Sequence, residues 1–96
     1  MLTIDAIKHE VEPLARKYNV VSVDLFGSYA VGKATETSDA DFLVKFGVPV
    51  PSIFAVMGLK EELAMALNTA VDIVTLPLVK PEMINIREVK NIYERT

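Results

Sequence analysis

Three runs dense in Val, Ile, Leu and Phe, Val20–Phe26, Ala40–Phe46 and residues 70–76, constrain the fold most, because one helical pattern precedes the first run and another separates the last two. In the first run Val21, Val23 and Leu25 alternate with Val20, Ser22, Asp24 and Phe26, and the β-branched content suits a strand with at least one buried face. Gly27 ends it. The other two runs read as second and third strands. Upstream, Ile4, Ile7, Val11, Leu14 and Tyr18 recur at three- and four-residue steps, which predicts a helix over 3–18 with Thr3 as its N-cap. Pro13 lies inside that pattern, deletes one backbone hydrogen bond and is expected to kink or divide the helix.

Residues 47–51 read as a loop, after which Ser52 can cap a helix over 53–68. Pro81 suits the first turn of a last helix, 82–89, and residues 91–93 read either as an edge strand or as more helix. Helices alternating with strands predict an α+β fold, an α/β sandwich in which helices cover one side of a small sheet. There is no internal repeat, low-complexity tract or linker, so 1–96 is expected to be one domain.

Composition narrows the chemistry. At 51% apolar and 24% charged residues the chain is expected to be compact, and at 96 residues it has no room for a separate acceptor domain. A macromolecular substrate must then come from another chain. Cysteine is absent and His9 is the one histidine, which excludes thiolate sites and a histidine cage and leaves oxygen as the ligand for any metal. A formal net charge of −3 argues against direct nucleic-acid binding, which needs clustered Lys and Arg. No apolar stretch approaches the ~20 residues that span a bilayer. The expectation is a cytoplasmic protein with no membrane association.

The stretch "LFGSYAVGKATETSDADFLVKF", residues 25–46, carries the chemistry. Asp39 and Asp41 stand two apart at the start of the second strand, so their side chains are expected on one face, roughly 6.5–7 Å apart along the strand. Asp72 falls among Val71, Ile73 and Val74, where a carboxylate is costly unless paired, exposed or metal-bound. If the second and third strands are neighbours, Asp72 faces the pair, and three converging carboxylates need a cation between them. Oxygen ligands alone favour Mg²⁺. Gly27 allows close backbone approach, and the Ser28 hydroxyl with neighbouring amides can bind phosphate oxygens. A phosphate cradle beside a carboxylate pair is what in-line attack on a nucleoside triphosphate requires, with two metals about 3.5–4 Å apart.

Each fragment also has a plain structural reading. Asp-x-Asp often marks a solvated loop, Gly-Ser a turn, and Asp72 an edge-strand carboxylate paired with a surface lysine. Tyr29 can stack on a nucleotide or pack the turn, Ser38 shapes the approach to Asp39, and Met57, Leu63, Met65 and Leu67 read as core or partner surface.

In order and placement these residues resemble the nucleotidyltransferases of the DNA polymerase beta superfamily, whose signature is Gly-Ser, Asp-x-Asp and a third Asp on a later strand. The phrases "GSYA.G" and "SDADFLV" and the ending "NIYER" resemble the minimal nucleotidyltransferases, the MntA-type antitoxins, over nearly the whole chain. The resemblance implies a nucleotidyltransferase fold, a mixed sheet with helices packed on it. It also implies Mg²⁺-dependent transfer of AMP from ATP to a hydroxyl, a tyrosine, of a partner HEPN-domain ribonuclease toxin, held in a hetero-oligomer and neutralised. Asp39 and Asp41 resemble the metal ligands that hold the triphosphate. Asp72 resembles the carboxylate that, with a metal, lowers the pKa of the acceptor hydroxyl, and Gly27 and Ser28 resemble the triphosphate-binding turn. One departure is Val31, where the family often carries Arg; Lys33, two positions on, is the expected substitute charge, with a solvated loop lysine as its alternative reading. Two other functions stay open beside the enzyme: an antitoxin acting by binding alone, and a nucleotidyltransferase acting on a small hydroxyl compound.

Overall fold

The computed structural model describes residues 2–35, 38–76 and 89–95. Helix α1, Ile4–Lys17, begins where the Thr3 hydroxyl accepts the Ala6 N–H at 3.1 Å and runs unbroken through Pro13. The expected kink or division does not occur. Pro13 lies on the exposed side, while Ile7, Val11 and Ala15 on the opposite side are all buried and hold the helix against the core. That burial, at about 1.5–3 kcal/mol for each large side chain, offsets one missing hydrogen bond.

Strand β1, Val20–Phe26, leads into a 3₁₀ turn, Gly27–Tyr29, and then β2, Ala40–Phe46. Helix α2, Ile53–Leu67, starts at Ser52, whose hydroxyl accepts the Ala55 N–H at 3.2 Å, and ends at Asn68 in the left-handed conformation. Strand β3, Val71–Thr75, follows after a connection of three residues, and β4, Lys90–Glu94, resolves the ambiguity over 91–93 in favour of strand. The predicted helix 82–89 falls almost wholly outside the described residues; Val89, its last position, is irregular.

The sheet order is β3-β2-β1-β4, with β2 parallel to β3 and β1 antiparallel to both β2 and β4. It is therefore a small mixed sheet. Both described helices lie on one face, α1 against β1 and β4 and α2 against β3, and they touch each other. Between helices and sheet, Ile7 and Val11 of α1 and Leu59, Leu63 and Leu67 of α2 meet Val23, Leu25, Phe42, Val44, Val71 and Ile92.

Val20 and Val23, three residues apart, are both buried in that core, which strict alternation forbids. The register of β1 against β2 shifts between Val20 and Ser22, and this bulge turns both valines inward. In β2 Ala40, Phe42 and Val44 are fully buried against the helices, so Asp41 projects from the opposite face of the sheet, on which Leu43 is also buried. Among the described residues no helix is long and apolar enough to cross a membrane.

Candidate active site

The turn Gly27–Tyr29, the start of β2 and the start of β3 meet at one end of the sheet because β1 is antiparallel, and β3 parallel, to β2. Phe26, the last residue of β1, stands opposite Asp41. Across the other side of β2, Asp41 stands opposite Asp72. Two carboxylates in register on neighbouring parallel strands are about 5 Å apart between backbones, close enough for their charges to be felt. Asp39 immediately precedes the strand, and the neighbouring Ala40 N–H donates to the Ala70 carbonyl at 2.9 Å, which locks the entrances of β2 and β3 together.

Gly27 explains itself here. Its φ is +77°, and a Cβ on it would stand 2.6 Å from Asp41 Oδ2. The residue must therefore lack a side chain for two reasons, the backbone conformation and the carboxylate beside it. Its carbonyl accepts the N–H groups of Ala30 at 3.1 Å and Val31 at 3.3 Å, and the Ser28 carbonyl accepts the Lys33 N–H at 2.9 Å, so two successive carbonyls close the turn. Tyr29 is buried in the core, where it packs the turn onto the sheet; its packing reading holds. Ser38 shapes the approach to Asp39 through its hydroxyl, which accepts the Thr35 N–H at 2.8 Å, and its own N–H, which donates to the Thr35 carbonyl at 3.1 Å.

The electrostatics follow from this placement. Partial burial, followed by the Asp72 and Asp39 charges, pushes the Asp41 carboxyl above the ordinary carboxylate value of 3.8. The half-buried Asp41 thus feels both of the other carboxylates that the sequence singled out. Hard oxygen donors beside a raised carboxyl fit a divalent cation of the Mg²⁺ type, which would relieve the repulsion. Among the described residues no three acidic or histidine side chains are grouped closely enough to enclose a metal; the three aspartates are adjacent.

Lys33, the expected substitute for the missing arginine, is exposed and takes part in no ion pair among the described residues. The cation beside the carboxylates is one that the sequence reading passed over. Lys60 of α2 reaches Asp72, its Nζ 3.7 Å from Oδ1, at a cleft of about 510 Å³ that Asp39, Met57, Ala64 and Ala70 also line. The reading of Asp72 as a carboxylate paired with a surface lysine is thus satisfied together with its place in the carboxylate set. The signal for Lys60 was available: Leu59, Leu63 and Leu67 mark the buried stripe of α2, Lys60 and Ala64 the stripe beside it. A three-residue connection to β3 brings that second stripe to the strand's edge.

Comparison with known proteins gives the chain's family. The family described as "Nucleotidyltransferase domain" matches residues 7–95. A Methanocaldococcus jannaschii relative, described as a candidate protein adenylyltransferase, is 38% identical over 88 residues, covering 88% of this chain and 94% of its own. The protein adenylyltransferase MntA of Thermococcus cleftensis is 38% identical over 79 residues, 77% of this chain and 78% of that one. In three dimensions the chain is similar to a toxin–antitoxin crystal structure with AMP-PNP, with a TM-score of 0.77 and 26% identity over 92% of this chain and 73% of the other.

Proposed function

The chain belongs to the nucleotidyltransferase domain family, and from that premise we propose that it is an Mg²⁺-dependent protein adenylyltransferase of the MntA antitoxin type. In this reading residues 1–96 work as one domain in the cytoplasm and transfer AMP from ATP to a tyrosine of a partner HEPN ribonuclease toxin, which is thereby neutralised. The observation that carries it is the register of Asp41 with Asp72, next to Asp39 and within touching distance of the Gly27 backbone. Support for the nucleotide and the partner comes from the relatives: an MntA adenylyltransferase in sequence, and a toxin–antitoxin complex with AMP-PNP in structure.

The residues divide the work by position. Gly27 and Ser28 let the triphosphate approach the backbone at the end of β1, with Lys33 as a further phosphate contact from the end of the turn. Asp39, Asp41 and Asp72 would hold Mg²⁺, which neutralises charge on the phosphates and acidifies the acceptor hydroxyl when bound. Asp72, on the outer strand, takes part in removing the acceptor's proton. The acceptor oxygen then forms a bond to the α-phosphorus, the bond from that phosphorus to the β-phosphate oxygen breaks, and pyrophosphate leaves with the electron pair.

A second reading, neutralisation by binding alone, is favoured by Val31 in place of arginine and by an exposed apolar surface at the start of α2. Val48, Val50, Ile53, Phe54 and Met57 all stand in solvent there, and Met65 does so near the helix's other end. Transfer of label from α-phosphate-labelled ATP onto the protein encoded beside this one, with Mg²⁺, separates the two. Transfer that disappears in Asp39→Asn/Asp41→Asn establishes the enzyme; a complex that forms without any transfer establishes the binder. Multiple turnover on a small hydroxyl acceptor would point instead to the small-molecule transferase.

A further inference from the structure

Lys60 stands out because it enters the carboxylate set from a different layer of the fold. The aspartates belong to the sheet, whereas Lys60 belongs to the helix packed on the sheet's other face and reaches Asp72 past the edge of β3. It is the cation lining a cleft that otherwise presents the carboxylates of Asp39, Glu61 and Asp72 among the described residues. Both side chains of the pair are more than half exposed, at 53% and 58%, and an ion pair so exposed adds little to stability. Its meaning lies in what else competes for Asp72.

Gly27 touches Asp41 from the β1 side, and Lys60 touches Asp72 from the β3 side, so the two carboxylates in register separate the phosphate-binding turn from the lysine cleft. On the reading above Asp72 serves the acceptor hydroxyl, so a charge beside it bears on the acceptor half of the reaction. Resting on the nucleotidyltransferase reading above, we propose that Lys60 is a positioning residue: it serves as the counter-ion of Asp72 before loading, yields that carboxylate when a divalent cation arrives, and then faces the acceptor oxygen in the cleft. In the first state its positive charge opposes the cation, because like charges a few ångströms apart repel even through water. In the second, the released ammonium group favours the developing oxyanion of the acceptor. No bond is made or broken by Lys60 itself.

The consequence is a paired signature. Lys60→Gln should bind the divalent cation more tightly, by roughly threefold to tenfold at low salt, since the competing charge is gone. The same variant should transfer AMP more slowly, by about tenfold to a hundredfold in kcat. Lys60→Arg keeps the charge and should restore both properties most of the way. A merely structural lysine would, on removal, weaken metal binding and catalysis together.

The experiment is a calorimetric titration with Mn²⁺ alone, without nucleotide, on wild type, Lys60→Gln, Lys60→Arg and Asp39→Asn/Asp41→Asn, each checked for an unchanged melting profile. Tighter Mn²⁺ binding by Lys60→Gln, reversed in Lys60→Arg, supports the proposal. Equal or weaker binding by a folded Lys60→Gln, while the double aspartate variant loses Mn²⁺, overturns the role of Lys60 and leaves the nucleotidyltransferase reading standing. Mn²⁺ binding that survives in the double aspartate variant overturns that reading and the Lys60 proposal with it.

Discussion

Glu62 and Asp41 are both half-buried carboxylates, yet their surroundings move their proton affinities in opposite directions. Glu62, on α2, accepts hydrogen bonds from Lys17 Nζ at 2.8 and 3.0 Å and from the Tyr18 hydroxyl, both at the end of α1. These bonds pull its carboxyl below the ordinary 4.5, raise the lysine and raise the tyrosine. The charge is matched, and the group ties two helices together. Asp41 is instead pushed up, by burial and by two more carboxylates, with no cation paired to it among the described residues. One cluster is arranged for the fold. The other leaves a repulsion in place at the end of the sheet, and a carboxylate perturbed by burial and like charges marks a candidate functional site.

The comparison can be broken or sharpened by substitution. The largest effect is expected from Asp39→Asn/Asp41→Asn, which should cut AMP transfer about a thousandfold, the worth of several kcal/mol of charge stabilisation, without lowering the melting temperature. Loss of fold in that variant would mean that the aspartates hold the structure together after all, as Glu62 does. Gly27→Ala comes next: its positive φ and the 2.6 Å approach to Asp41 Oδ2 predict a loss of about 1–3 kcal/mol in urea denaturation. An unshifted midpoint would show that turn and carboxylate move apart freely.

The smallest effects carry the sharpest contrast, because they have opposite sign. At pH 7 and without divalent cations, Asp41→Asn should stabilise the chain by roughly 0.5 kcal/mol after solvent screening, whereas Glu62→Gln should lower its melting temperature. The pH dependence separates them further. Glu62 is depressed, so its contribution is complete above pH 4.5 and is lost as the pH falls through its folded value. Asp41 is raised, so the cost of ionising it disappears as the pH falls through its folded value towards 3.8, and the advantage of Asp41→Asn should vanish there. Thermal melts of both variants from pH 7 down to pH 3 test the pair; shifts of the same sign would end the distinction between the two clusters.

Much of this was legible in the chain. The strands Val20–Phe26 and Ala40–Phe46 and the caps Thr3 and Ser52 stand where the sequence placed them, because alternation and capping are local properties that neighbouring residues decide. The inward turn of both Val20 and Val23 was not legible, since a bulge is a matter of register between two strands. Nor was the survival of α1 across Pro13, where the burial of Ile7, Val11 and Ala15 outweighs a local breaking signal. The unsettled strand at 91–93 became β4 because β1 offered it an edge, which no pattern within five residues can announce.

The candidate site divides along the same line. Residue types at given spacings, Gly27-Ser28, Asp39-x-Asp41 and Asp72, were enough to point to a candidate chemistry, because close phosphate approach and oxygen ligation each demand particular side chains. What only the tertiary structure decided was who stands beside whom: parallel pairing set Asp41 against Asp72, antiparallel pairing brought Gly27 against Asp41, and the packing of α2 delivered Lys60 to the edge of β3. The physical reason is range. Spacing along the chain fixes the face and the chemistry of each residue, but Coulomb interactions and close approach act through space, between segments that only the folded core holds a few ångströms apart.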